Sequence, residues 1–107
     1  MAKGDSLGEF ELCILLAVAR LADDAYGIRV RQYLETETGR RVTIGAVYTT
    51  LGRLEEKGLV SFRLTDPEPV AGGRARKIFA LSAGGRRALT HTTTVLGRLI
   101  VGWKSRS

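Results

Sequence analysis

The chain of 107 residues is long enough for one domain with a modest core, and its 44% hydrophobic content is typical of folded rather than disordered proteins. The longest apolar run, at 12–19, is too short to cross a bilayer, and the start of the sequence lacks the pattern of a signal peptide. The single cysteine, Cys13, excludes an internal disulfide and a cysteine-based metal site, so we expect a cytoplasmic protein.

Positive charge is concentrated in the last third of the chain. Residues 1–69 contain nine Lys or Arg against all eleven Asp and Glu, whereas residues 70–107 contain eight basic residues and no acidic one. The formal charge is therefore −2 in the first segment, +8 in the second and +6 in total. This asymmetry favours a polyanionic partner for the second segment, with a generally solvated basic surface as the alternative.

The first predicted helix begins near Leu7, because Ser6 and Glu9 have the spacing of a capping box. Its apolar residues recur at intervals of three and four, which predicts one buried face. The residues predicted to face inward are Leu12, Leu15, Leu16 and Ala19.

A second helix is predicted to end at Gly39, since glycine suits the left-handed conformation that follows many helices. Asp23 or Asp24 is expected to cap its start. Predicted to face inward are Val30, Leu34 and Tyr26, and predicted to face water are Arg29, Arg31 and Glu35.

The stretch TIGAVYTTLGRLEEKGLV, residues 43–60, predicts a third helix with two different faces. Thr43 is expected to cap it, and Gly58 is expected to end it after Lys57, whose charge suits a helix C-terminus. The residues predicted to face the core are Val47, Leu51 and Leu54.

Alternating apolar residues then replace the helical spacing and predict a β-hairpin. Residues 60–65 form its first strand, the stretch 66–73, rich in Pro and Gly, forms its turn, and residues 74–82 form its second strand. Ser82 is expected to cap a last helix over residues 83–103. The hairpin residues predicted to face inward are Val60, Phe62, Leu64, Phe79 and Leu81.

This order of elements predicts a mainly α fold with a small β-hairpin, an α+β arrangement. We predict a winged helix-turn-helix DNA-binding domain over residues 1–82 and a C-terminal dimerisation helix over residues 83–107, which together form one compact domain. In a winged helix-turn-helix the third helix enters the major groove, and the hairpin, or wing, contacts the DNA backbone.

The outward side of the third helix is the candidate DNA-reading surface. Small residues allow the helix axis to approach a duplex, Tyr hydroxyls and helix N-termini suit phosphates, and Thr or Arg side chains suit base edges. An ordinary surface helix, with Tyr48 half-buried against the second helix, is the alternative. The residues predicted to bind DNA here are Thr43, Gly45, Ala46, Tyr48, Thr49 and Arg53.

The hairpin adds three cations, Arg74, Arg76 and Lys77, directly after a Gly-Gly pair. Side chains at this position would reach phosphates or a minor groove, and binding would then weaken steeply as salt rises. Basic hairpins are also common as solvated features, so this cluster gains its weight from the helix that precedes it.

Three stretches of the sequence form a combined signature: VTIGAVYTTLGRLEEKGLV, GGRARKIFALSAGGRRAL and DDAYGIRVRQYLE. Together they resemble the third helix, the wing with the start of the last helix, and the second helix of the PadR family of transcriptional regulators. The resemblance covers roughly residues 7–90 and implies a homodimeric winged-helix DNA binder of the compact branch, usually a repressor, relieved in some members by small phenolic or drug-like molecules. The residues that match characteristic positions of the family's third helix are Tyr48, Arg53 and Lys57.

The last helix carries an apolar stripe at heptad spacing, which is typical of a seam between two helices. We expect this stripe to join two copies of the chain, with the first helix supplying the rest of the dimer surface; packing back onto its own domain is the alternative. In some members of the family that the chain resembles, a Trp on the last helix stacks a flat ligand across the dimer interface, so the resemblance makes Trp103 a candidate for that role, with a seam residue or a frayed anchor as the alternative. The residues predicted to form the dimer are Leu89, Leu96, Leu99, Ile100 and Trp103.

Enzymatic functions fit the sequence poorly. The stretch GGRARK lacks the spacing of a phosphate-binding Walker loop, and the single His91 has no catalytic or metal-binding partners at a suitable spacing. We therefore predict a regulator that needs no cofactor or metal and represses transcription as a homodimer, with helix 43–57 in the major groove of its operator and wing 60–81 on the backbone. A module that binds another protein and a nucleoid-type protein without sequence preference are the alternatives.

Overall fold

The computed structural model describes residues 7–65 and 75–106, which form four α-helices and one antiparallel strand pair in the predicted order. A short 3-10 turn, Ala22–Asp24, lies between the first two helices. The helices are α1 (Glu9–Leu21), α2 (Gly27–Thr38), α3 (Ile44–Glu56) and α4 (Ala83–Lys104), and the strands are β1 (Val60–Leu64) and β2 (Lys77–Leu81).

The core lies where α1, α2 and α3 meet, and β1 and β2 close one side of it. Its fully buried large side chains come from all three helices, so each helix contributes one apolar face. Val47, Leu51 and Leu54 of α3 are all fully buried, which confirms the predicted inner face of that helix. The other large and fully buried side chains are Ile14, Leu15, Val18 and Val30.

Helix α1 begins two residues later than predicted and buries a different face. Its N-cap is Gly8, whose N–H donates to Glu11 Oε1 at 3.0 Å, while Ser6 lies outside the described residues. Of the predicted inward residues only Leu15 is fully buried; Leu12 is half-buried, and Leu16 and Ala19 are exposed. The prediction was wrong because residues 12–19 are apolar all round the helix, so periodicity alone does not indicate which side faces the core. The buried residues of α1 are Ile14, Leu15, Ala17 and Val18.

Helix α2 starts at an N-cap, Tyr26, that provides no side-chain cap, so neither Asp23 nor Asp24 plays the predicted part. Asp24 accepts a hydrogen bond from Arg29 Nε at 3.1 Å instead. The C-terminal end is as predicted, with Gly39 at φ 69° in the left-handed region.

The predicted burial of α2 is correct on one face and wrong on the other. Val30 and Leu34 are buried as predicted, and Tyr26 is half-buried. Arg29, Arg31 and Glu35 were expected in water but are half-buried. Arg29 Nε donates to Asp24 and Glu35 accepts the N–H of Val42 at 3.0 Å, whereas Arg31 Nε is buried without a hydrogen-bond partner among the described residues.

The hairpin pairs Val60 with Leu81 and Phe62 with Phe79, whose ring centroids lie 5.8 Å apart. Val60 and Phe79 are buried as predicted, and Phe62 and Leu81 are half-buried. Leu64, in contrast, is 63% exposed, because the far end of β1 extends past the helical core. The N–H of Phe79 donates to the carbonyl of Ala25 at 2.8 Å, which attaches the wing to the junction of α1 and α2.

Helix α4 is attached to the rest of the described structure through its N-terminal half. The Ser82 hydroxyl accepts the N–H of Gly85 at 2.9 Å, as predicted for a cap, and donates to the carbonyl of Gly58 at 2.6 Å. A Cβ at Gly85 would collide with the carbonyl oxygen of Leu59, so a glycine permits this close approach. Leu89 packs against the core, but the second half of the 22-residue helix projects from the domain, whose longest dimension is 58 Å. No helix in the described ranges is both long and apolar enough to cross a membrane.

Candidate nucleic-acid interface

Helix α3 has a buried face and an exposed face of different chemistry. Thr43, which caps the helix, is exposed, and so are eight residues within it, among them Ile44, Glu55 and Glu56. No atom of the described residues lies close to where a side chain on Gly45 would project, so the surface there is open. Five of these exposed residues are the ones predicted to bind DNA, and we call them the α3 face: Gly45, Ala46, Tyr48, Thr49 and Arg53.

The N-terminus of α3 is ordered by Thr43, whose Oγ accepts the N–H of Ala46 at 3.1 Å. The first amides of an α-helix have no intrahelical acceptor, and in α3 they belong to exposed residues. This end of the helix therefore offers N–H donors and a partial positive charge, which suit a phosphate.

Two roles for Tyr48 were left open by the sequence: contact with DNA and packing against the second helix. Its ring lies directly over Gly27 at the start of α2, where any Cβ would collide with the ring carbon Cζ and the hydroxyl oxygen. The side chain nevertheless remains 48% exposed. Packing against Gly27 thus holds the ring in place, while the exposed part can still meet a ligand. The signal for this contact was the Tyr-Gly pair at 26–27, which sequence reasoning used only to place a helix.

Two cations of the wing, Arg76 and Lys77, lie over aromatic rings at the base of the hairpin. The Arg76 guanidinium carbon is 4.6 Å from the centroid of the Tyr26 ring, and Lys77 Nζ is 4.3 Å from that of Phe62. Arg76 and Lys77 are both exposed, whereas Arg74 lies outside the described part of the chain. Since Tyr26 precedes Gly27, the wing and the α3 face come together at the start of α2.

The other end of α3 is attached to α1 by an ion pair. Lys57 Nζ donates to both carboxylate oxygens of Glu11, at 3.0 and 2.9 Å, and the Glu11 side chain is only 14% exposed. Burial alone would raise the pKa of Glu11, but the hydrogen bonds from Lys57 and the Gly8 N–H, together with the charges of Lys57 and Arg53, hold that pKa below its usual value. The charge of Lys57, predicted simply to suit a helix end, is thus directed at a second helix.

The predicted dimer residues are distributed unevenly along α4. Leu89 is half-buried and packs against the core of its own domain. Beyond it, Leu96, Leu99, Ile100 and Trp103 are 37%, 64%, 47% and 68% exposed. Trp103 does not line either of the two clefts found in the described parts of the chain.

Comparison with known proteins places this arrangement among regulators. The model of the transcriptional regulator PadR-like family matches residues 15–91. The transcriptional regulator Rv3488 of Mycobacterium tuberculosis is 36% identical over 77 residues, which make up 72% of this chain and 67% of that protein.

Solved structures share the fold. A PadR-like transcriptional regulator from Bacillus cereus superposes with a TM-score of 0.74 at 21% identity, over 90% of this chain and 88% of the other. Bacillus subtilis PadR, solved in complex with operator DNA, superposes with a TM-score of 0.62 at 21% identity, over 77% of this chain and 45% of the other. The matched family model covers most of the chain and includes α2, α3 and both strands. The chain therefore belongs to the PadR-like family of transcriptional regulators, a family of regulators and not of enzymes.

Proposed function

We propose that the chain is a sequence-specific DNA-binding repressor that acts as a homodimer, with residues 43–57 in the major groove and the wing, residues 60–81, on the DNA backbone. In this proposal residues 1–82 bind DNA and residues 83–107 hold two copies together. The observation that carries the proposal is the α3 face, which is exposed, small near the helix start, and polar further along. The structure of Bacillus subtilis PadR, a protein of the same fold solved with operator DNA, supports the same use of the domain.

Each residue of the α3 face has a part in this proposal. Gly45 and Ala46 let the helix approach the bases, and Thr49 and Arg53 reach base edges, with Arg53 suited to a guanine or a phosphate. Tyr48 donates its hydroxyl to a phosphate from the position that Gly27 gives it, and the helix N-terminus at Thr43 receives another phosphate.

The wing is proposed to contribute affinity without sequence preference. Arg76 and Lys77 are exposed yet lie over aromatic rings, so their charged groups are presented at the base of the hairpin beside the start of α2. Arg74 is proposed to bind DNA with them, and this part of the proposal rests on the sequence alone. Each phosphate contact made by these cations would release condensed counterions and add to the salt dependence of binding.

The dimer is supported by the exposed apolar half of α4. One helix-turn-helix unit makes few base contacts, whereas two units on one dimer read half-sites about one helical turn apart. Leu96, Leu99, Ile100 and Trp103 would meet the same residues of a second copy, and the exposed Leu16 of α1 would extend that surface.

Relief by a small aromatic ligand is the finer part of the proposal. Trp103 is 68% exposed, and an indole in that position would offer a flat surface to a ligand held between two copies of α4. Access to chromosomal DNA implies the cytoplasmic location expected from the sequence.

The decisive experiment is selection from a pool of random DNA duplexes by the purified protein, followed by gel-shift measurements at several salt concentrations. We expect enrichment of paired half-sites, and expect Arg76→Ala to weaken binding to selected and random duplexes alike while lowering the salt slope by about 1. Arg87→Ala, which removes an exposed cation from α4, is the charge-matched control. Binding without enrichment would instead support the nucleoid-type protein, and no DNA binding would support the protein-binding module.

Repression and relief need a second measurement. A reporter gene with the selected operator between promoter and coding sequence should lose expression when the protein is present. Aromatic compounds that restore expression with the wild-type protein, but not with Trp103→Ala, would establish the ligand site. Increased expression without any ligand would contradict the assignment as a repressor.

A further inference from the structure

The ion pair between Glu11 and Lys57 links the two helices that the proposed function uses for different tasks. Lys57 follows the last residue of α3, which is proposed to enter DNA, and Glu11 lies in the first turn of α1. The two residues are 46 positions apart in the chain, and the lysine ammonium donates to both oxygens of the carboxylate. Because buried side chains already hold the middle of α3 in the core, this second contact at its C-terminal end restrains the angle between the two helices.

Helix α1 has a second side that is free to meet a partner. Leu16 is 42% exposed and Ala19 is also exposed, while Glu11 points to the α3 side of the same helix. If this outward apolar side contributes to the dimer, α1 connects the interface with the end of the recognition helix through a single rigid element.

Apolar packing gives α1 and α3 an approximate crossing angle, and the ion pair adds a contact at one end of α3. Charge-assisted hydrogen bonds are directional, and this pair is well shielded, with side-chain exposures of 14% for Glu11 and 30% for Lys57. Glu11 is also held by the Gly8 N–H at 3.0 Å, so the carboxylate has little freedom to follow a displaced lysine.

From these contacts we infer that Glu11 is a positioning residue: through Lys57 it holds α3 at a fixed angle to α1 and thereby sets the spacing of the two DNA half-sites that the dimer accepts. This inference rests on the proposed function, since spacing has meaning only for a dimeric DNA binder. Glu11 touches no DNA in this scheme; it acts on DNA only through the placement of α3.

A neighbouring ion pair supplies a matched control. Glu9, two residues earlier in α1, pairs with Arg40 at 3.1 Å, but both side chains are well exposed, at 79% and 64%. Exposed pairs contribute little to structure, so removing the Glu9 carboxylate tests the loss of one acidic charge at the start of α1 without loosening α3.

The test is selection from random duplexes by the full-length wild-type protein and by Glu11→Gln, Lys57→Met, Lys57→Arg and Glu9→Gln. We expect Glu11→Gln and Lys57→Met to recover the wild-type half-site sequence, while the preference for the wild-type spacing over spacings one base pair longer or shorter falls about fivefold. Lys57→Arg, which keeps the ion pair, and Glu9→Gln should retain the wild-type spacing. Sedimentation and circular dichroism establish that each variant is folded and dimeric.

The outcomes separate the inference from the function on which it rests. A spacing profile in both Glu11→Gln and Lys57→Met that equals the wild-type profile overturns the inference alone, even if both variants unfold at lower temperature. Failure of the wild-type protein to enrich any paired half-site overturns the proposed function and the inference together.

Discussion

Helices α3 and α4 start in the same way but expose opposite chemistry. Each begins after a hydroxyl residue, Thr43 or Ser82, that accepts a backbone N–H of the first turn. The exposed side of α3 is small and polar, whereas the projecting half of α4 exposes leucine, isoleucine, valine and tryptophan. Exposed apolar area costs about 25 cal/mol per Å² relative to burial, so the α4 surface favours another protein surface, while the α3 face suits a hydrated, charged ligand. The two helices are built alike, so the chemistry of the exposed side chains indicates whether the partner is DNA or another protein.

The largest expected effect follows from a charge placed in the apolar half of α4. Leu99→Glu should separate the proposed dimer, because a carboxylate at a residue now 64% exposed would be buried without a partner at the proposed interface. Since two linked half-sites bind far more tightly than one, operator affinity should fall about 100-fold or more. Analytical ultracentrifugation and gel shift measure the two effects.

Thr94→Glu is the control for that change, since helical geometry puts residue 94 on the side of α4 opposite residue 99. It should leave both assembly and DNA binding as they are. A Leu99→Glu protein that remains dimeric would contradict the proposal that the apolar half of α4 binds a second copy of the chain.

The next effect concerns the α3 face. Arg53→Ala should reduce affinity for the selected operator by about 1–3 kcal/mol and affect random duplex much less, because an arginine that reads a base contributes to specificity. Arg87→Ala removes the same charge from an exposed position of α4 and should change both affinities little. Equal losses on operator and random DNA would reassign Arg53 to a phosphate.

The next prediction compares how much the N-cap residues of α3 and α4 contribute to the free energy of unfolding. Thr43→Ala should lower the free energy of unfolding by about 1 kcal/mol, as is typical for the loss of an N-cap. Ser82→Ala should cost more, since Ser82 also donates to the carbonyl of Gly58 and the change leaves that acceptor without its hydroxyl donor. Urea unfolding of both variants, with Thr94→Ala as the exposed control, measures the difference. A larger loss for Thr43→Ala would contradict this order.

The smallest effect is the pH dependence of the link between α1 and α3. The pKa of Glu11 is lowered in the folded state from about 4.5, so its carboxylate stabilises the fold at neutral pH, and this contribution is lost as the pH falls through the lowered pKa. Wild type should be more stable than Glu11→Gln at pH 7 by up to about 1 kcal/mol, and the difference should shrink towards pH 3. If the stability difference between wild type and Glu11→Gln grows as the pH falls, a group other than Glu11 is responsible for it.

The α3 segment was predictable because several local signals agree there. A threonine cap, apolar residues at helical spacing and a glycine just past the end define the helix, and Gly58 does adopt φ 74°. Helix α1 was not predictable in the same way, because its apolar residues surround the helix and two of the four predicted inward residues, Leu16 and Ala19, are exposed.

Contacts between distant residues account for most of what the sequence did not indicate. Gly27 was placed in a helix, but its role as the surface under Tyr48 depends on how α2 and α3 cross. The pairing of Lys57 with Glu11 and the position of Arg76 over Tyr26 likewise join residues from separate elements. Leu64 followed the strand alternation but lies beyond the part of the hairpin that the core covers.

By itself the sequence determined the order of the elements, both hydroxyl caps, the buried face of α3 and the positive charge of the last third, because periodicity and side-chain chemistry act between near neighbours. Tertiary structure alone decided which side of α1 is covered, where α4 leaves its own domain, and which cations lie against a carboxylate or an aromatic ring. These features depend on how the helices pack, and a pattern read along one chain contains no distance between residues from different elements.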